Sequence, residues 1–403
     1  MGILLNLRLT FIYSGPRNVM NCCCHINRSK KEPLIYTMFF LILIIALLLY
    51  GGLVYYIGWS GYVFLRPKTA GRRFKILYTV IVLLAATSFI IGRVSGITFL
   101  NIIGAYWMAC FYLLLMLIPL AHITVLLLRF TKLSRPGTQL WTGIITLGLL
   151  LTLMLFGTYN AYNPVVRTYD IKMDKGTASL NSLHIAMAAD THFGLLSGKN
   201  HAKRLVKEIN ALKPDIILLP GDLFDDDVRP FLDQKIDTIL SGLQAPYGVY
   251  ASLGNHDKHD GTMRELIEAL ENSGVNVLYD ETVTVEDEFT VIGRKDRTEK
   301  DRLSLENLMS EVNLEKPAIL LDHQPYDYAI AEEAGIDLMV SGHTHHGQIF
   351  PGNLITDKIY ENDWGYLQKE NMHTIVTSGF GFWGPPIRLG TRSEVVSIHI
   401  QFE

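Results

Sequence analysis

Polar and apolar positions divide the chain into two unlike halves. Four stretches contain no Lys, Arg, Asp or Glu: Pro33–Leu65, Ile76–Gly92, Val94–Leu128 and Pro136–Val166. A helix needs about 20 mostly apolar residues to cross the hydrocarbon core. Buried helices of soluble domains rarely need such unbroken apolarity on every side, so the pattern predicts four transmembrane helices, at roughly 35–57, 74–92, 99–127 and 139–160. A cleavable signal peptide does not fit four successive runs. After Arg167 the charges return and short apolar stretches alternate with amphipathic ones. Buried strands are expected at 183–189, 215–220, 248–253, 317–323, 336–343, 373–379 and 393–400. Helices are expected at 202–212, with Leu205, Val206, Ile209 and Leu212 on one face, and at 262–274. The division is therefore 1–33, a disordered tail; 34–165, a four-helix transmembrane region; and 166–403, an α/β domain.

Charge refines this picture. The formal net charge of −3 over 403 residues gives no nucleic-acid footprint. Lys and Arg flanking the helices set membrane orientation. The loops after the first and third helices carry Arg66, Lys68, Arg72, Arg73 and Lys75, and Arg129, Lys132 and Arg135. The opposite side carries Arg93, Arg167, Lys172 and Lys175. Arg17, Arg28, Lys30 and Lys31 would level the count, but Met38 opens the first apolar run, and the tail before it reads as an over-extended frame. Without the tail, the basic loops are cytoplasmic and the α/β domain is extracytoplasmic. Cys22, Cys23 and Cys24 cluster in that tail and Cys110 lies in an apolar run, so the α/β domain can hold neither an internal disulfide nor a thiolate metal site.

The chemistry lies at strand ends. The first strand runs into Asp190 and His192, the second into Gly221-Asp222, and the third into Gly254, Asn255, His256 and Asp257. His323 follows a later strand, and "SGHTHHGQ" (Ser341–Gln348) another. Ligands of α/β sheets gather at the carboxyl ends of strands. In an extended backbone, His343 and His345 would share a face while His346 turned away. Carboxylates mixed with imidazoles suit two divalent cations such as Mn, Fe or Zn. Each fragment alone is weak, since D-x-H is usually a loop and G-D usually a turn. All five in one order are far more specific.

These residues resemble the five-block pattern of the calcineurin-like metallophosphoesterases over about residues 180–400. The stretch "TSGFGFWGPPIRLGTRSEVV" is similar to the membrane-anchored bacterial branch. The resemblance implies a four-layer domain, with two packed β-sheets flanked by helices. It implies that Asp190, His192 and His345 bind one metal, that Asn255, His323 and His343 bind a second, and that Asp222 bridges them. A hydroxide held between the two metals would attack phosphorus. His256 would be the acid, with Asp257 orienting it. His346 departs from the small residue usual there and suggests a rim or substrate contact. Arg388 is a candidate for holding a phosphate oxygen, the alternative being a plain surface arginine.

Other signals are weaker. "GLLSGKN" (Gly194–Asn200) falls one residue short of a phosphate loop and lacks Ser or Thr after its lysine. His184, His201, His259 and His373 have no matching partners and read as ordinary surface or core residues, and Asp225–Asp227 as a solvated loop. The functional expectation is a membrane-anchored dimetal phosphoesterase, monoesterase or diesterase, in contact with the lipid bilayer. The anchor and the apolar "GFGFWGPP" (379–386) favour lipid-linked or envelope substrates. The rival is a membrane sensor or transporter with a non-catalytic phosphoesterase-like domain. Transport predicts ionisable groups within the helices, where only His122 qualifies. A degenerate domain predicts missing ligands, and the pattern lacks none.

Overall fold

In the computed structural model, residues 32–66, 70–174, 176–225, 227–258 and 263–403 are described. The expected tail, with Cys22–Cys24, lies almost wholly outside them, as do Lys68, Asp226 and His259. The chain divides into two compact units, Met1–Leu53 and Val54–Glu403. Within the first, the described residues are helical.

Among the described residues, four helices are long and apolar enough to cross a membrane: α1 (Glu32–Leu65), α2 (Arg72–Ser95), α3 (Thr98–Leu127) and α4 (Arg135–Tyr162). The shortest has 24 residues, about 36 Å at 1.5 Å per residue, against a hydrocarbon core of about 30 Å. The helices outrun the expected spans because a helix continues until something stops it. α1 runs on to Leu65, where Arg66 and Pro67 follow.

The rest is built on twelve strands: β1 (Val165–Met173), β2 (Ser182–Met187), β3 (Ile216–Pro220), β4 (Val249–Ser252), β5 (Val275–Val277), β6 (Glu281–Val285), β7 (Phe289–Gly293), β8 (Ala318–Leu321), β9 (Leu338–Ser341), β10 (Gly365–Lys369), β11 (Met372–Val376) and β12 (Glu394–Phe402). They form two sheets, ordered β1-β12-β2-β3-β4-β5 and β10-β11-β9-β8-β7-β6. Side chains alternate across each strand. Leu183, Ile185, Met187 and Leu218 of the first sheet meet Val291, Ile319, Leu321 and Val340 of the second in the central core. On the outer face of the first sheet, Leu205 and Ile209 of α5 (Lys199–Leu212) pack with Ala186, Ile217 and Leu219. On the outer face of the second, Leu305, Leu308 and Tyr328 cover Ile292, Leu320 and Met339. These are the four expected layers.

β1, β5, β10 and the β6–β7 hairpin extend the expected strand set. β1 pairs in parallel with β12 along its whole length, from Val165–Glu394 to Met173–Phe402. The loop between β11 and β12 is fastened to α4. Arg388 N donates to Gly157 O at 2.9 Å and Ser393 Oγ to Ala161 O at 2.7 Å. Ile387 and Leu389 pack with Ala109, Leu113 and Leu150 of α3 and α4. That loop borders the site described next.

Candidate metal centre

β2, β3 and β4 pair in parallel, as do β7, β8 and β9. Their carboxyl ends therefore share one edge of the two-sheet stack. Asp190 and His192 follow β2, Asp222 follows β3, Asn255, His256 and Asp257 follow β4, His323 follows β8, and His343 and His345 follow β9.

These residues converge as two clusters. Asp190, His192 and His345 form one and Asp222, His323 and His343 the other, each with its ligand atoms within 4.8 Å of one another. In the first, His192 Nε2 and His345 Nε2 stand 3.1 Å apart and His345 Nε2 is 3.6 Å from Asp190 Oδ1. In the second, His323 Nε2 is 3.0 Å from Asp222 Oδ2. Asp222 Oδ2 also lies 3.9 Å from His192 Nε2, so one carboxylate spans both clusters. Asn255 Oδ1 is buried without a hydrogen-bond partner. Two facing ring nitrogens and an orphaned buried oxygen are what a cation would satisfy. The mixed N/O donor set fits borderline divalent ions.

The backbone reaches this geometry by left-handed turns. Asp190, His192, Asp222, His343 and His345 take φ of 52°, 42°, 53°, 72° and 49°. The "SGHTHHGQ" segment is therefore not extended. β9 stops at Ser341, and a tight turn sends His343 and His345 into different clusters rather than onto one face. His346 Nδ1 bonds Asp363 Oδ2 at 2.8 Å and its ring stacks on Trp364. Gly254 is forced by close approach, because a Cβ there would stand 2.1 Å from Asp222 Oδ1.

Around the clusters the supports differ. Arg388 is fully buried and donates to Ser378 O at 2.6 Å and Gly381 O at 2.7 Å. Those two bonds use both hydrogens of Nη2, so its 3.1 Å approach to His345 Nδ1 fixes the ring by packing. This overturns both expectations for Arg388, which is neither a surface residue nor placed to hold a phosphate. Asp257, also buried, accepts from Leu223 N and Phe224 N at Oδ1 and from Gly254 N at Oδ2. It braces the loops after β3 and β4. His256 N donates to Asp222 Oδ1 at 2.9 Å. Its ring lies 5.1 Å from that of His192 and 5.6 Å from Trp383, a residue of the "GFGFWGPP" stretch.

Burial and charge set the proton affinities. Burial pushes Asp190 up to about 7 against the pull of His323. Burial alone would raise Asp222 and depress His323, but their mutual attraction reverses both, leaving Asp222 low and His323 at about 10. His345 is held well below its usual value, first by burial, then by His192 and Arg388. His323 Nδ1 lies 2.9 Å from Pro220 O; a proton donated there leaves Nε2 for the cluster.

The remaining candidates stand apart. His201 is buried and lies 3.2 Å from Phe380 O through Nε2. His373 contacts Tyr366, and His184 stacks on His399. Of Gly194–Asn200, residues 194–198 form a loop leading into α5, with Gly194 N bonded to Ser197 O, and Lys199 and Asn200 open the helix. Asp227 pairs with Arg229. His122 contacts Ser60 Oγ at 3.0 Å amid Tyr56, Trp59 and Phe64.

The model of the calcineurin-like phosphoesterase family matches residues 183–347. An uncharacterized metallophosphoesterase of Aquifex aeolicus is 31% identical over 264 residues, 62% of this chain and 97% of that protein. The chain belongs to the calcineurin-like phosphoesterases. A Danio rerio transmembrane protein with a metallophosphoesterase domain is 30% identical over 271 residues, 63% of this chain and 62% of that one. A Campylobacter jejuni metallophosphoesterase is 27% identical over 341 residues, covering 81% and 89%. The family is one of dimetal-dependent phosphoester hydrolases, the chain spans 62% of the length of the Danio rerio relative, and four helices among the described residues are long and apolar enough to cross a membrane.

Proposed function

We propose that the protein is a membrane-anchored phosphoesterase acting on lipid-linked or envelope phosphoesters on the extracytoplasmic side. Asp190, His192 and His345 hold one divalent cation, and Asn255, His323 and His343 the other. Asp222 serves both. The observation that carries this reading is the Asp222 carboxylate, buried between His192 at 3.9 Å and His323 at 3.0 Å. When bound, the cations supply Lewis acidity towards the phosphoryl oxygens and lower the proton affinity of water. The chain's own residues do the rest. Arg388 and Pro220 fix the rings of His345 and His323, and Asp257 keeps the loop that carries Asn255 and His256 in place. His256 gives a proton to the departing oxygen.

A lipid-linked substrate is supported by a cavity of about 610 Å³. Phe89, Asn101, Ala105 and Met108 of the helices line one wall, and Gly194, Asp225 and Gly384 of the phosphoesterase domain line another. Gly194 is two residues from His192, Asp225 three from Asp222, and Gly384 next to Trp383. The domain wall thus draws on the loops after β2 and β3 that carry Asp190, His192 and Asp222, and on the loop with Trp383.

The test is detergent-purified full-length protein loaded with Mn²⁺ and offered phosphomonoesters, phosphodiesters and phospholipids. Hydrolysis lost to chelator and restored by metal is expected. A protein with two metal equivalents that cleaves none of them would sink the reading. Protease added to intact cells with a permeable wall should reach the domain, and digestion only after lysis would reverse the orientation.

A further inference from the structure

The helix Gly352–Ile359 follows the turn that carries His343, His345 and His346, and its amphipathicity is inverted. None of its residues is buried. Its more sheltered positions are Asn353 and Thr356, and Thr356 Oγ1 donates to Asp363 Oδ2 at 2.7 Å. Leu354, Ile355 and Ile359 stand out at 52%, 58% and 58% exposure, after Phe350 at 49%. A helix on a watery surface turns its apolar stripe inward. Four large apolar side chains facing out within ten residues mark an interaction surface. Lys358, exposed among them, has a stem long enough to carry its ammonium to lipid headgroups.

The occupant follows from what lies beside this surface. Tyr112 of α3 donates its hydroxyl to Phe350 O at 3.2 Å. The basic loop with Arg129, Lys132 and Arg135 marks one membrane face, just past Leu127. Counting about 20 residues back along α3 puts the other face near Trp107, beside Tyr106, an aromatic pair of the kind found at that level. Tyr112 is five residues further in, roughly 7 Å at 1.5 Å per residue. Counting about 20 residues up α4 from Pro136 puts the same face near Phe156. Leu150, which packs with Ile387 and Leu389, then also lies inside it. Such a depth matches that of interfacial helices, about 5–10 Å.

We propose that Phe350, Leu354, Ile355 and Ile359 form a foot that enters the bilayer interface and presents the metal centre to phosphoesters of membrane lipids. The second half of this statement rests on the phosphoesterase reading. The first does not. Foot and turn are packed directly against each other. A Cβ at Gly347 would stand 2.1 Å from Asn353 N, and Asp363 Oδ2 takes both Thr356 Oγ1 and His346 Nδ1.

The test uses the full chain in vesicles of phosphatidylethanolamine and phosphatidylglycerol, with an environment-sensitive fluorescent amino acid encoded at position 355 or, as the exposed control, at position 370. Lipid-borne nitroxide should quench position 355 severalfold more than position 370, and aqueous iodide the reverse. Equal quenching by iodide, with none by lipid nitroxide at position 355, would overturn the foot. For the substrate half, Leu354→Asp with Ile355→Asp is compared with the unaltered protein. The substrates are hexadecyl 4-nitrophenyl phosphate in vesicles and bis(4-nitrophenyl) phosphate in solution. The ratio of vesicle to soluble activity should fall at least about tenfold, since a buried charged pair opposes insertion. An unchanged ratio would overturn lipid presentation. Failure of the unaltered protein on both substrates would sink the phosphoesterase reading and leave the fluorescence result standing.

Discussion

The two ligand clusters sit side by side, yet different neighbours set their proton affinities. Asp190, His192 and His345 have a buried guanidinium behind them, and Arg388 adds to burial and His192 in lowering the affinity of His345 for protons. Around Asp222, His323 and His343 the His323–Asp222 attraction outweighs burial instead and draws a proton onto His323. Burial, His192 and Arg388 together keep His345 unprotonated, whereas His323 must give up a proton before it can bind a cation, and buried Asp190, raised to about 7, also holds its proton more tightly than a free carboxyl. The comparison suggests that a single loading measurement will not describe both.

The strongest way to break the contrast is Asp222→Asn, because that carboxylate serves both sides. Metal analysis should fall from two equivalents towards none, with hydrolysis at background. Two full equivalents in the purified variant would remove the bridging role. His345→Ala and His343→Ala should separate the clusters instead, each losing about one equivalent, and loss of both from either would mean the clusters are not independent.

His256→Ala should keep both metals. A positioned acid is worth roughly 10²–10⁴ in rate, and that benefit depends on the leaving group. An alkyl phosphodiester should lose most of it and a nitrophenyl diester little. Equal losses on the two would assign His256 to holding the site together. The smallest effect belongs to Arg388→Met. Removal of an orienting partner typically weakens metal binding about 10–100-fold, here at the His345 cluster alone. Without the cation His345 gains protons more readily, so loading of that cluster should need a higher pH. A titration midpoint that does not move upward would leave Arg388 a purely structural role.

The membrane helices and the central strands were legible because their patterns are strong: unbroken apolarity in one case, short buried runs with polar ends in the other. β1 was not, because "VVRTYDIKM" exposes Arg167, Thr168 and Asp170 and reads as a linker until β12 lies beside it. β6 and β10 are equally polar on one side. At the site, residue types and order were readable. The path of the "SGHTHHGQ" turn was not, since left-handed conformations leave no period in a sequence. The burial of Arg388 was hidden too, because its partners are backbone carbonyls. The foot at Gly352–Ile359 could have been suspected from "NLITDKI", yet only its polar inward side reveals it.

The left-handed turns have a consequence for engineering. Asp190, His192, Asp222, His343, His345, His346 and Gln348 all carry positive φ. Each such non-glycine residue costs on the order of 1 kcal/mol. Their sum, roughly 7 kcal/mol, rivals the 5–15 kcal/mol net stability of a typical domain. A campaign that selects only for heat resistance would therefore be drawn to these positions, where glycine or asparagine relaxes the backbone. It would harvest stable variants by erasing the donor set. Melting temperature is thus a misleading guide at this edge of the sheets, and metal content is the quantity to select alongside it.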